Sequence, residues 1–295
     1  MCRFVLYQGA PLTIASLVTE PAHSIINQSF HAKEADEPLN GDGFGLAWYN
    51  PALSDRPALF RSVTPAWSNQ NLLELARVTQ SGNVLCHVRA ATRGLPVSET
   101  NCHPFTNERY AFMHNGDIAR FHQIRRRLLA DMTDPAFMAI KGSTDSEHLF
   151  GVFLDEAGDA DVPGAVDRGA ALARALERAV RRVLAVSEQM KLTIPPAPGD
   201  DDESYVNVAV SDGVCSAACR AATGGVEPAS LYVHYGRRYV CEGGVCQMVR
   251  PEQGHGAVLI ASERLSADEG WQKIPANHVV IVREDNSVDI RPMAA

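Results

Sequence analysis

The chain has 295 residues, a formal net charge of −8, and 45% hydrophobic against 21% charged residues, an ordinary globular composition with enough length for a sizeable core in one large domain or two small ones. The negative balance argues against a general nucleic-acid or anionic-membrane surface, no apolar run reaches membrane-spanning length, and no basic leader with a long apolar segment is visible. Seven cysteines, an odd number spread through the chain, argue against a disulfide framework and for a reducing compartment, so a soluble cytoplasmic protein is expected.

Met1-Cys2-Arg3-Phe4 opens the chain and runs straight into the strand-like apolar run Phe4-Val5-Leu6-Tyr7. Cys2 is small enough for the usual removal of the initiator Met. Its thiol and a free α-amine of pKa ~7.7–8.0 would then share one residue, a nucleophile with a built-in general base. The residue also reads as a buried cysteine at a strand edge. Pro11 to Val18 predicts a short helix that ends near Glu20-Pro21, and the segment from His23 to Leu39 carries no chemistry readable from spacing. Asn40-Gly41-Asp42-Gly43-Phe44-Gly45 combines turn dipeptides with glycines at alternate positions. It reads as a hairpin turn or as a ligand-facing turn. It is not a phosphate loop, because no Gly-Lys-Ser/Thr follows. Leu46 to Tyr49 then reads as a strand.

A strand over Ala58–Val63 precedes a helix from about Ser68, its N-cap, to Gln80. Asn83 to Ala90 is a buried strand that delivers Arg89 at its end, with Thr92 and Gly94 just beyond. A charge at a strand end before a glycine-containing loop is either a surface residue or a side chain aimed into a site. Asn101-Cys102-His103 has no second ligand pair at zinc-like spacing, so no metal is expected there. A strand over Tyr110–Met113 runs into His114-Asn115-Gly116-Asp117, which is a plain turn or a pair of amide donors suited to an oxyanion. Helical sequence follows over Ala119–Met132, with Arg125-Arg126-Arg127 as a solvated face.

Thr144 and Glu147 fit a T-x-x-E capping box, which puts Asp145 in the first turn of a helix. There its carboxylate serves the helix dipole or holds an ammonium group. Val166 to Met190 is a longer amphipathic helix, and a Pro-rich then acidic stretch near residues 194–204 reads as an exposed loop. From Tyr205 the pattern is β: Val206–Val210, Leu231–Tyr235, Tyr239–Cys241, Val245–Val249, Ala257–Ala261, Val279–Val282 and Val288–Ile290. Cys215, Cys219, Cys241 and Cys246 fall among these strands without C-x-x-C spacing and read as core thiols.

Cys2, Arg89-Ala90-Ala91-Thr92, Asn115-Gly116 and Thr144-Asp145 resemble, in order and spacing, the class II glutamine amidotransferases of the N-terminal-nucleophile hydrolase fold. PAHSIINQSF, NGDGFGLAWY, TPAWSNQN, SETNCHPF, FMHNGDI and GSTDSE further resemble the YafJ-like group and the amidotransferase-like subunit of the fungal glutathione-degradation complex. Ala90 and Arg93 stand where several family members carry an aromatic residue and a His. The resemblance implies an α+β fold, an αββα sandwich with two mainly antiparallel sheets, over residues 2–295 as a single domain.

The resemblance also implies roles for the matched residues. Cys2 would be the nucleophile, and Asn115 and Gly116 the oxyanion donors. Arg89 would hold the substrate α-carboxylate with support from Thr92, and Asp145 the α-ammonium. The expected reaction is thiol-dependent hydrolysis of a γ-glutamyl amide, of glutamine or of a γ-glutamyl peptide such as glutathione, with no cofactor. The alternatives are a glutaminase subunit that delivers ammonia to a separately encoded synthase, and a non-catalytic glutamine-binding subunit. A separately encoded peptidase or synthase is the partner expected, with neither nucleic acid nor membrane involved.

Overall fold

The computed structural model describes residues 2–34, 39–91, 96–159, 162–193, 195–196, 202–243, 245–250 and 256–294. Its first half contains strands β1 (Arg3–Thr13), β2 (Phe44–Trp48), β3 (Ala58–Ser62), β4 (Gln80–Val88), β5 (Phe105–Asn107) and β6 (Tyr110–Asp117). Its second half contains β7 (Tyr205–Ser211), β8 (Ser216–Ala222), β9 (Tyr232–Gly236), β10 (Arg238–Glu242), β11 (Val245–Val249), β12 (Ala257–Ala261), β13 (Gln272–Lys273), β14 (His278–Val282) and β15 (Val288–Pro292). The helices are α1 (Ala15–Val18), α2 (Ile25–His31), α3 (Gln70–Val78), α4 (Phe121–Ala130), α5 (Asp134–Ala139), α6 (Asp145–Asp159) and α7 (Arg168–Lys191).

Two antiparallel sheets result, ordered β13-β9-β12-β1-β4-β2-β3 and β15-β14-β8-β7-β6-β5, with β10–β11 as a separate hairpin. The period of two along the strands sorts the side chains into layers. Phe4 and Leu6 of β1, Leu85 of β4, Met113 of β6 and Ile260 of β12 fill the space between the sheets. On the far side of the first sheet, Val5, Tyr7, Val84 and Cys86 pack against Leu17, Ile25 and Leu72 from α1, α2 and α3. On the far side of the second, Phe112, Val208 and Ile281 pack against Phe153, Leu172 and Leu176 from α6 and α7. Each sheet is hydrophobic on both faces and must be covered on both, which gives the expected αββα sandwich.

Several expectations are corrected. The helix predicted from Pro11 shrinks to α1, because β1 runs on past an irregularity and pairs Leu12 with Ser81 and Thr13 with Gln80. The cap of α3 is Asn69, whose Oδ1 accepts the Leu72 N–H at 2.9 Å, and not Ser68. Asn115 and Gly116 do not follow a strand but lie inside β6, since β7 pairs with it as far as Asp117 opposite Tyr205. Cys241 and Cys246, opposite one another in the β10–β11 hairpin, form a disulfide, while Cys215 and Cys219 are the buried free thiols expected. That bridge removes one premise of the cytoplasmic expectation. The loop near residues 194–204 lies mostly outside the described residues. Among the described residues no helix is long and apolar enough to cross a membrane.

Candidate active site

Register builds the site. β1 and β4 pair Phe4 with His87 and Arg3 with Val88, so the next opposed pair is Cys2 and Arg89. Cys2 continues the alternation of Leu6 and Phe4, and Arg89 that of Leu85 and His87, so both belong to the inter-sheet side. The Cys2 thiol donates to the Ala90 carbonyl at 3.5 Å. Burial pushes this thiol up, and the Ala90 contact and the charges of Arg89 and Arg3 oppose that rise.

Arg89 is only 3% exposed, and its Nη1 has no partner among the described residues. Its main chain is fixed on both sides: the Arg89 N–H donates to Gly43 O at 2.8 Å and the Asp42 N–H to Arg89 O at 3.0 Å. The Asp42 carboxylate then takes the Ala91 N–H at 2.8 Å. Gly43 permits this approach, having φ +115° and no room for a Cβ, which would lie 2.7 Å from the Cys102 sulfur. The Asn40–Gly45 stretch is therefore the clamp on Arg89. Thr92 lies outside the described residues.

The facing wall comes from β6. Asn115 shares the inward parity of Ala111 and Met113 and pairs with Asn207 across the β6–β7 ladder. Both polar atoms of its side-chain amide are buried without a partner among the described residues. Gly116 is required by the neighbouring strand, since a Cβ there would meet the Tyr205 carbonyl at 1.7 Å. A hydrogen bond of 3.3 Å from His87 Nε2 to the His114 carbonyl joins β4 to β6 at this end of the layer. The His103 ring stacks on His87 with centroids 4.1 Å apart. Burial holds both imidazoles neutral, bringing His87 down to about 3 and His103 well below its ordinary value.

Asp145, 8% exposed, ties helix α6 to the end of β6. Its Oδ2 accepts the Ile118 N–H at 2.9 Å and its Oδ1 the Ser146 N–H at 2.7 Å. Oδ1 also has the Ser146 hydroxyl at 3.2 Å, so the lone pair left over is on Oδ2. His114 braces the same corner: Nε2 donates to Tyr205 O at 3.3 Å, which leaves Nδ1 to accept from the Ser146 hydroxyl at 2.9 Å. The capping box is half formed. Thr144 Oγ1 caps the Glu147 N–H at 3.2 Å, but the Glu147 carboxylate turns to the Lys141 and Gly142 amides.

The strands thus bring Cys2 and Arg89 together at the end of one sheet, with Asn115 and Gly116 on the other and Asp145 on helix α6, tied to the end of β6. Sequence reasoning missed His87 beside the site and left the roles of His103 and of Asp42 in the Asn40–Gly45 turn open. The turn dipeptide Asp42-Gly43 was the available signal for the last. A group of three potential metal donors among the described residues, Glu20 with Cys241 and Cys246, lies in the hairpin region and has both sulfurs committed to the disulfide. What the site offers is a thiol, a cation with an open donor, an unpaired amide and a carboxylate with one oxygen able to accept again. That set can clamp a zwitterionic head group and stabilise an oxyanion.

The chain can be compared with known proteins on this basis. Residues 15–189 match the family described as class II glutamine amidotransferases. Probable glutamine amidotransferase DUG3 of Saccharomyces cerevisiae is 38% identical over 96% of this chain and 82% of its own length. The gamma-glutamyl-hercynylcysteine sulfoxide hydrolase of Mycolicibacterium smegmatis is 24% identical over 98% of both chains. Among solved structures, a glutamine aminotransferase class-II domain protein from Silicibacter pomeroyi superposes with a TM-score of 0.64 at 25% identity, each chain covered in full. The glutamine phosphoribosylpyrophosphate amidotransferase of B. subtilis shares the fold alone, with a TM-score of 0.59 at 11% identity over 49% of its chain. With the family match spanning more than half of the sequence and the yeast relative nearly all of it, this chain belongs to the class II glutamine amidotransferases.

Proposed function

We propose that the protein hydrolyses a γ-glutamyl amide through a glutamyl thioester on Cys2, within one domain spanning residues 2–295. The observation that carries this reading is the pair of buried, partnerless groups beside and facing Cys2: the Arg89 guanidinium nitrogen and the Asn115 amide. The relatives add the bond type, being a probable glutamine amidotransferase in yeast and a γ-glutamyl hydrolase in mycobacteria.

Once Met1 is removed, the Cys2 α-amine accepts the thiol proton. The sulfur then attacks the γ-carbonyl carbon to give a tetrahedral oxyanion. The Asn115 Nδ2–H and Gly116 N–H donate to that oxygen. One such donor is typically worth ~2.7–4 kcal/mol of barrier. Collapse breaks the C–N bond, and the leaving amine takes the proton from the α-ammonium. Water, deprotonated by the same amine, attacks the thioester and releases glutamate with the thiol restored. Arg89 pairs with the α-carboxylate in a planar fork, Thr92 supports that pocket, and Asp145 takes the α-ammonium. Glutamine and γ-glutamyl peptides such as glutathione present the same head to this clamp.

The test is hydrolysis of glutamine and glutathione by wild-type and Cys2→Ala protein, with intact mass read on both. The wild-type mass should lack Met1, and the variant should lose at least about 10⁴-fold in kcat. Full hydrolysis by Cys2→Ala would falsify the reading. Free ammonia that rises only when a candidate acceptor enzyme is added would favour a glutaminase subunit serving a synthase. A chain that keeps Met1 and turns over nothing would be a binding subunit.

A further inference from the structure

Arg3, the first residue of β1, points to the side of the sheet opposite Cys2, and its side chain is 0% exposed. Its guanidinium spans two acceptors. Nε donates to Glu263 Oε1 at 2.8 Å, and Nη1 donates to the carbonyl oxygen of Cys2, also at 2.8 Å. Glu263, 1% exposed, lies just past the end of β12 and gathers three more donors. His23 Nε2 approaches Oε2 at 2.6 Å, the Lys33 N–H donates to Oε2 at 2.9 Å, and the Glu34 N–H to Oε1 at 3.0 Å. Burial would raise this carboxyl, but the four donors overcome it and hold Glu263 at about 2. The carboxylate is therefore a fixed anion bound from three separate segments.

Cys2 itself stands outside the β1–β4 ladder, which begins at Arg3. Phe4 is locked from both sides, its N–H donating to Ser262 Oγ and its carbonyl accepting the Ser262 N–H, both at 3.0 Å. Cys2 has only its sulfur contact to Ala90 and its carbonyl contact to Arg3 among the hydrogen bonds of the described residues. Holding that carbonyl fixes the peptide plane after Cys2, so that rotation about the Cys2 Cα–C bond and χ1, restrained by the sulfur contact to Ala90, is all that sets the directions of the α-amine and the thiol. A buried Arg–Glu pair is weak as a source of stability, because desolvation offsets the attraction. A geometric task explains it better.

We propose that Arg3 is a positioning residue for the Cys2 nucleophile, and that Glu263, braced by His23 and the Lys33 and Glu34 amides, holds its guanidinium on the Cys2 carbonyl. The proposal rests on the reading of Cys2 as the nucleophile. Arginine is needed because its rigid fork reaches Glu263 and the Cys2 carbonyl at once. A lysine keeps the charge but supplies a single point, so it can satisfy only one of them.

The test compares Arg3→Lys, Glu263→Gln and Cys2→Ala with wild type in glutamine hydrolysis, with intact mass and thermal melting recorded for each. Both positioning variants should lack Met1 and stay folded at the assay temperature. Their kcat should fall about 100-fold while KM moves less than about threefold, because a shift of about 1 Å in a reacting group costs that much. The smaller change Glu263→Gln covers the case in which Arg3→Lys does not fold. Wild-type kcat in the folded variants, a rise in KM alone, or a loss that merely follows the unfolded fraction would overturn the proposal. If Cys2→Ala is inactive while the other two match wild type, the positioning role alone fails. If Cys2→Ala is active, the nucleophile assignment itself fails.

Discussion

The two sides of the chain at the start of β1 are built to opposite rules. On the Arg3 side, Glu263 receives four donors, and of the Arg3–Glu263 pair a single atom, Arg3 Nη2, is buried with no partner among the described residues. On the Cys2 side, Arg89 Nη1, both atoms of the Asn115 amide, both ring nitrogens of His103 and Nδ1 of His87 are buried with no partner among the described residues. A buried group left unpaired costs about 1–3 kcal/mol, so a cluster of them survives where something else completes it. The side with the fuller pairing is scaffold, and the side with the cluster of unpaired groups suits a ligand. Adjacent residues such as Cys2 and Arg3 can thus differ in what their replacement should do.

Glu263→Ala should give the largest effect on stability, a loss of about 3–5 kcal/mol, because it strands the Arg3 cation in the interior. Chemical denaturation of the wild type and variant measures it, and a loss under about 1 kcal/mol would erase the contrast between the two sides. Asn115→Ala should do the reverse. Its kcat should drop about 10²–10³-fold, with KM nearly constant and stability unchanged or improved. A rise in KM without a change in kcat would instead make Asn115 a ground-state contact.

Arg89→Met sharpens the comparison through ligand binding. Glutamate at about 100 times its Kd should stabilise the wild type by about 2.7 kcal/mol and the variant by almost nothing. Free of ligand, the variant should melt no lower than wild type. A variant that keeps the glutamate shift would remove Arg89 from the carboxylate pocket. The gentlest test is acid titration. His87 is held down from 6.5 to about 3, so its neutral form contributes stability above pH 6.5 that is lost as pH falls towards 3. The loss should be about 1.4 kcal/mol per pH unit in that window. His87→Phe should reduce that slope, leaving the part that His103, held down in the same way, contributes. Glu263, lowered from 4.5 to about 2, contributes stability that is lost between those values, and since the two windows overlap down to about 3, His87→Phe should leave intact only the limb below that.

Much of this was readable in the sequence. The apolar runs of β1, β4 and β12 and the long amphipathic α7 were legible from local period, while the layers and the proposed catalytic residues came from the resemblance of the four motifs to a known family. Non-local pairing was not readable. The Asn115-Gly116 dipeptide looks like a turn, and only β7 alongside makes it strand. Ser216–Ala222 escaped notice because its small Ser, Ala and Cys residues, with one Arg, are buried throughout and show neither alternation nor β-branching. The Cys241–Cys246 bridge could have been seen, since Cys-Glu-Gly-Gly-Val-Cys is a hairpin turn flanked by facing thiols. Arg3 and Glu263 are 260 positions apart, and the one hint was a charged residue at the edge of each of two apolar runs.

The place of β1 in its sheet also sets a timetable. Val5 pairs with Cys86 on one flank and with Ala261 on the other, so β1 is an inner strand whose second neighbour lies far along the sequence. Pairing over such a span is slow, and it cannot begin while the distal segment is still on the ribosome. Until then Arg3 has no Glu263 to pair with, so the contact proposed to position Cys2 belongs to the completed sheet and not to the opening strand alone.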